Sequence, residues 1–259
     1  GETVDTLAAM DEAHRQGALQ ITVCNVVGSQ ATRIADGVVY TRCGLEVGVC
    51  STKTFTAAIV ALYLLACYLA QERGVVDEDG MRGLLDPLAR LPSLVGRVTQ
   101  RDEEYERLAH RFFRYDNFLY LGRGLQFPIA MEGALKLKEV SYIHAEGYPA
   151  GEMKHGPIAL IDQEMPVVAI AVRDGLYDKM MSNVQQVKAR EGTVIALASE
   201  GDEEVARQVD HVLCLPQASP QLMPVLTAIP LQFFAYHIAV RRGCDVDQPR
   251  NLAKTVTVE

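Results

Sequence analysis

Residues 117–157 read NFLYLGRGLQFPIAMEGALKLKEVSYIHAEGYPAGEMKHGP. The apolar run Phe118 to Leu121, closed by Gly122-Arg123-Gly124, has the composition of a buried strand that enters a glycine turn. From about Leu125 to Tyr142 the spacing predicts a helix. Glu132, Lys136 and Glu139 recur on it four and three residues apart, so they share one face. Ala134, Leu135, Leu137 and Val140 make the rest of the segment apolar. Tyr148-Pro149-Ala150-Gly151 then breaks the helix, and Glu152, Lys154 and His155 follow in a Gly/Pro-rich turn. Strand, glycine turn and helix in this order are the unit of an open α/β sheet. A carboxylate, an amine and an imidazole so close together are the groups needed for moving protons. A solvated helix face with an i,i+4 ion pair has the same local pattern.

The same alternation extends in both directions. Downstream, Met165–Val172 reads as a buried strand, 178–190 as a helix, 193–198 and 211–215 as strands, and 223–241 as a long apolar helix that Pro230 should kink. Upstream, Thr3 to Arg15 reads as a helix with Thr3 as its N-cap, Leu19–Val27 as a doubly covered strand and 37–41 as a second short strand. Gly44–Lys53 is glycine-punctuated and ends in Ser51-Thr52-Lys53 before an apolar helix from Thr54 to about Arg73. A hydroxyl-rich loop there suits either a phosphate or sugar hydroxyl, or simple N-capping by Ser51 or Thr52. Residues 77–91 and 94–113 read as two bridging helices separated by Pro92. The tail from Asp247, rich in Pro and Asn, reads on its own as a frayed end.

Composition narrows the function classes. The chain has 259 residues, is 49% hydrophobic and carries a net charge of −8. That is a globular composition with a sizeable core, and no basic stripe offers itself to nucleic acid. No stretch reaches about 18 uninterrupted apolar residues, so no membrane span is expected. The six cysteines, Cys24, Cys43, Cys50, Cys67, Cys214 and Cys244, show neither CxxC nor metal-ligand spacing, and read as reduced thiols of a cytoplasmic protein. Neither a metal nor a cofactor is expected. Gly-x-Gly at 122–124 lacks the third glycine and the downstream acid of a dinucleotide site, and 44–53 is not a Walker A loop.

The segments GETVDTL, GVCSTKTFTAAIVALYLLA, FLYLGRG, EGALKLKEVSYIHAEGYPAGEMKHGPIALI and QPRNLAKTVTVE together resemble the glutamine–fructose-6-phosphate aminotransferase family. The likeness is to its C-terminal isomerase half, built of two sugar isomerase (SIS) domains. It implies two three-layer α/β/α sandwiches with mainly parallel sheets: a first, partial SIS domain with its helical bridge over 1–113, a second over 114–246, and a tail, 247–259, that completes the active site. It implies fructose 6-phosphate as substrate and glucosamine 6-phosphate as product. It further implies a homodimer and ammonia from an N-terminal glutaminase domain that none of these cysteines can supply.

By the same resemblance Glu139 is the base that moves a proton between C1 and C2, and Lys136 is the lysine beside it. Lys254 forms a Schiff base with the open-chain sugar, and His155 opens the ring in the neighbouring subunit. Thr3, Val49, Ser51 and Ala253 match sugar- or phosphate-contacting positions, and Glu132 positions Lys136 or sugar hydroxyls. Leu45 and Cys50 stand where proline and alanine are common in the family. Of the family's Ser-Gln-Ser-Gly-Glu-Thr phosphate loop only Gly1-Glu2-Thr3 is present. The chain alone is therefore expected to be poorly stable, with exposed sheet edge, and a weak catalyst. The alternatives are a SIS-type module that binds a sugar phosphate without turning it over, or a related deglycase or isomerase without glutaminase activity.

Overall fold

The computed structural model describes residues 1–254. The chain divides into two compact units, residues 1–84 with 247–259, and residues 85–246. Residues 85–113 thus pack with the second unit.

In the first unit, helix α1 (Val4–Arg15) leads to strand β1 (Ile21–Cys24), short helix α2 (Gln30–Ile34), strand β2 (Gly37–Tyr40) and helix α3 (Lys53–Glu72). β1 and β2 pair in parallel, Ile21 against Gly37 through Cys24 against Tyr40. Neither Thr3 nor Thr52 caps its helix through its side chain. The start of α3 is held instead by Glu46, whose Oε1 accepts the N–H groups of Thr52 at 2.9 Å and Thr54 at 3.3 Å. A carboxylate at this end also meets the positive pole of the helix. The frayed reading of the tail fails for 247–254: the Val49 N–H donates to the Asp247 carbonyl at 2.9 Å, and Lys254 is tied down as described below. The last residues of the resemblance, 255–259, lie outside the described residues.

In the second unit, helix α4 (Glu78–Thr99), which begins in the first, and helix α5 (Asp102–Phe112) precede strand β3 (Asn117–Gly122), helix α6 (Gln126–Ser141) and strand β4 (His144–Pro149). Strand β5 (Val167–Ala171), helix α7 (Tyr177–Lys188), strand β6 (Val194–Ser199), helix α8 (Glu203–Ala206), strand β7 (His211–Leu215) and helix α9 (Met223–Arg241) follow. The five strands run in the order β4-β3-β5-β6-β7, every neighbouring pair parallel. Alternate strand residues serve two cores. Leu119, Leu121, Val167, Ala169 and Ala196 pack with Met180 and Val184 of α7. On the other face, the rings of Phe118, Phe112 and Phe234 meet edge-on.

The expected helix break at Pro92 is not found. α4 runs through Pro87 and Pro92, and the break comes at Gln100-Arg101. Leu91 and Val98 of this strongly amphipathic helix are buried, so packing outweighs the missing proline N–H. Strand β4 is absent from the sequence expectation. Its residues, HAEGYP, lack the β-branched alternation of a strand, and it stands at the sheet edge. A Cβ at Gly147 would come within 2.5 Å of Met131 Cα, so this strand lies against the backbone of α6 and needs its glycine. The expectation of no membrane span rested on uninterrupted runs. Among the described residues α3 and α9 are long and apolar enough by length and composition; α9 is mostly buried, whereas α3 buries only Ala61 and Cys67.

The order of elements recurs. α1, β1, α2, β2 and α3 of the first unit match α7, β6, α8, β7 and α9 of the second in kind and sequence. The helix lengths are 12, 5 and 20 residues against 12, 4 and 19.

Candidate active site

The charged face of α6 is largely withdrawn from water. Side-chain exposure is 5% at Lys136, 11% at Glu132 and 21% at Glu139. The ammonium favours one carboxylate: Lys136 Nζ lies 2.5 Å from Glu139 Oε2 and 3.5 Å from Glu132 Oε1. Among the described residues Glu132 Oε1 is buried without a hydrogen-bond partner. Burial pushes the Glu132 carboxyl up, Lys136 pulls it down by less, and Glu139 adds to the rise. Two carboxylates thus share one buried ammonium.

The turn after β4 is pinned from beneath. Ala150 and Met153 are fully buried in the core against α7, while Glu152, Lys154 and His155 face solvent. His155 Nε2 stands 3.9 Å from Glu152 Oε2, with 74% of its side chain exposed. Gly156 closes the turn at φ 148°, a backbone conformation that side chains disfavour. Arg123 braces it: its guanidinium lies over Gly151, and its Nε donates to Asn183 Oδ1 at 3.0 Å.

The first unit holds a cavity of about 750 Å³, within the range of roughly 300–1,000 Å³ common for small-molecule sites. Thr3, Val49, Ser51 and Lys254 line it, as do Asn25, Glu46 and Thr54; Ala253 does not. Lys254 Nζ donates to Glu46 Oε2 at 2.9 Å and to the Gly48 carbonyl at 2.8 Å. Burial would push the Glu46 carboxyl up. Hydrogen bonds from the Thr54 hydroxyl, the Thr52 N–H and Lys254 overcome that and hold it at about 2. An ionised carboxylate therefore holds the Lys254 side chain at the wall of the cavity. Among the described residues no three His, Cys, Asp or Glu side chains converge as metal ligands.

Of the residues singled out from sequence, the structure brings Thr3, Val49, Ser51 and Lys254 to one cavity, and Glu132, Lys136 and Glu139 to one helix face. Sequence reading missed Glu46 and Asn25. Asn25 orders the loop after β2: its Oδ1 accepts from Thr41 Oγ1 and the Cys43 N–H, and its Nδ2 donates to the Gly44 carbonyl. The signal for Glu46 was an acid just upstream of an uncapped helix start.

The sequence model of the SIS domain matches residues 112–242. The C-terminal domain of glucosamine-fructose-6-phosphate aminotransferase from Francisella tularensis superimposes with a TM-score of 0.91 at 40% identity, over 95% of this chain and 70% of that one. The chain belongs to the SIS family. Among curated relatives, the glutamine–fructose-6-phosphate aminotransferases [isomerizing] of Chlorobaculum tepidum and Thermus thermophilus are 52% and 51% identical over 259 residues. This SIS chain is matched along its whole length and spans 42% and 43% of theirs.

Proposed function

We propose that the chain is the isomerase portion of a glutamine–fructose-6-phosphate aminotransferase, which converts fructose 6-phosphate and glutamine-derived ammonia to glucosamine 6-phosphate. The observation that carries this is Lys254, held by Glu46 and Gly48 at the wall of the first-unit cavity. The names of the relatives supply the substrate class. The Lys254 amine adds to the C2 carbonyl of the open-chain ketose, and water leaves as the Schiff base forms. Ammonia displaces the lysine, leaving the C2 imine of the sugar. Glu139 takes a proton from C1 to give the enolamine and returns one to C2, so that C1 becomes the aldehyde. Lys136 steadies the charge that develops on the C1 oxygen, and Glu132 positions Lys136.

Thr3 contributes to phosphate binding, and Val49, Ser51 and Ala253 to sugar contacts. His155 opens the ring in the partner subunit of a homodimer, in keeping with its exposure. The repeated element order, and the SIS match over 112–242, support a first, partial SIS domain with its helical bridge in 1–113, the bridge packing with the second unit, and a second SIS domain in 114–246. The enzyme is cytoplasmic, and a separate glutaminase domain feeds it ammonia.

Borohydride reduction in the presence of fructose 6-phosphate tests the carrying observation without requiring turnover. Mass spectrometry should find the reduced sugar-phosphate adduct on Lys254. An adduct spread over surface lysines, or none, overturns the assignment. Glu139→Gln should abolish interconversion of fructose 6-phosphate and glucose 6-phosphate while leaving glucosamine 6-phosphate affinity within about tenfold. Retained isomerisation would exclude Glu139 as the base.

A further inference from the structure

In the first unit the large cavity opens where α1 begins and where β1 and β2 end. The second unit carries a cavity at the corresponding places of its repeat. It is lined by Val172, Arg173 and Asp174 before α7, Ser199 at the end of β6, and the 217–220 loop after β7. Its volume is about 150 Å³. Crevices at the carboxyl ends of parallel strands are where α/β sheets bind ligands. Position alone makes no site; the side chains aimed at this one do.

Gln126 is 2% exposed and lines the cavity. Its Oε1 accepts from Thr227 Oγ1 at 2.8 Å, but its amide nitrogen has no partner among the described residues. Ser199, 3% exposed, accepts the Arg173 N–H at 3.0 Å and has no acceptor for its own hydroxyl proton among the described residues. Asp174 accepts the Leu176 N–H at 2.8 Å through Oδ1 and is half-buried with no cation beside it among the described residues.

Among the described residues, the cation on the wall, Arg173, is already committed. Arg173 forms a two-pronged pair with Asp202, at 3.0 and 2.9 Å, reaches Glu204 at 3.1 Å, and stacks on the Tyr177 ring. The cavity therefore offers two donors and an uncompensated carboxylate. That set repels a phosphate and matches adjacent hydroxyls, which donate to the carboxylate and accept from the amide. An apolar cavity of about 150 Å³ holds benzene, a ligand of six heavy atoms; the same space in polar walls suits a three- or four-carbon polyol.

We propose that this cavity of the second unit is a binding site for a small uncharged polyol, separate from the lysine-bearing cavity of the first. The test is a titration of the whole chain with glycerol and with erythritol, followed by NMR at the Gln126 side-chain amide and at the Ser199 and Ala218 backbone amides. Saturable shifts are expected, and glycerol 3-phosphate should neither produce nor compete for them. Gln126→Leu should abolish saturation at Ser199 and Ala218. It leaves Thr227 with its other acceptors, the Met223 and Pro224 carbonyls, so the fold is retained. Asp174→Asn keeps an acceptor for Leu176 and should weaken binding about tenfold or more, equivalent to about 1.4 kcal/mol. Shifts that stay linear, binding unchanged in both variants, or equal binding of glycerol 3-phosphate would overturn the proposal and leave a water-filled crevice. Because Lys254 is not involved, failure here says nothing about Schiff-base chemistry in the first unit.

Discussion

Replacing Glu46 by Gln keeps the side chain's shape and an acceptor for the Thr52 N–H but removes the charge. In the folded chain the Glu46 side chain is 7% exposed, and its carboxyl is held at about 2 against an ordinary 4.5. Each pH unit of such a difference is worth 1.36 kcal/mol, so the ionised form favours the folded state by about 3 kcal/mol. The folded value is the depressed one. This stability is therefore fully present above the ordinary 4.5 and is lost as pH falls through about 2. Amide exchange reads it locally at Gly37 and Thr41, whose N–H groups bond the Gln20 and Cys24 carbonyls at the two ends of the β1–β2 ladder. At pH 7 Glu46→Gln should speed exchange there by about a hundredfold, since 1.4 kcal/mol is a factor of ten. Near pH 2, the protection measured in the two proteins should converge. A change below about fivefold at pH 7 would refute the reasoning, as would a constant gap down to pH 2.

Lys136→Met leaves the α6 carboxylates without their ammonium, so the loss should reach about 3–5 kcal/mol at neutral pH. Because burial raises Glu132, the loss should shrink as the pH is lowered and Glu132 takes up a proton, which urea denaturation over a falling pH series would show. Asp202, 1% exposed, accepts from the Glu204 and Val205 N–H groups at the start of α8 and pairs with Arg173 and Tyr177. Asp202→Ala should cost about 2–4 kcal/mol in urea at pH 7. Much of that cost should vanish in acid, since those same bonds lower the Asp202 carboxyl.

Long apolar runs and glycine punctuation made β3, β5, β6 and α9 readable from sequence, because both faces of these strands are buried and leave no competing pattern. β4 was not readable. Its identity as a strand comes from the close approach of α6 at Gly147, which no local propensity encodes. α4 was misread for the converse reason, since the proline rule is local and the burial of Leu91 and Val98 is not. At the candidate site, the resemblance pointed to Lys254, but the residue that holds it lies 208 positions earlier in the chain. Glu46 could be located only once the tail was folded against the α3 start.

The doubled order of elements has a consequence for how the chain reaches its fold. Each α–β–α–β–α run presents similar parallel edges to the growing sheets, so during folding a strand from one run can seat beside a helix meant for the other. Parallel pairing closes long loops and forms late, which lengthens the exposure of such mismatches. The bulky aromatic contacts Phe112–Phe118–Phe234 seat α9 of the second run against α5 and β3, and among the described residues the strands of the first run make no ring-to-ring contact. Side-chain size thus distinguishes the seat of α9 from that of α3.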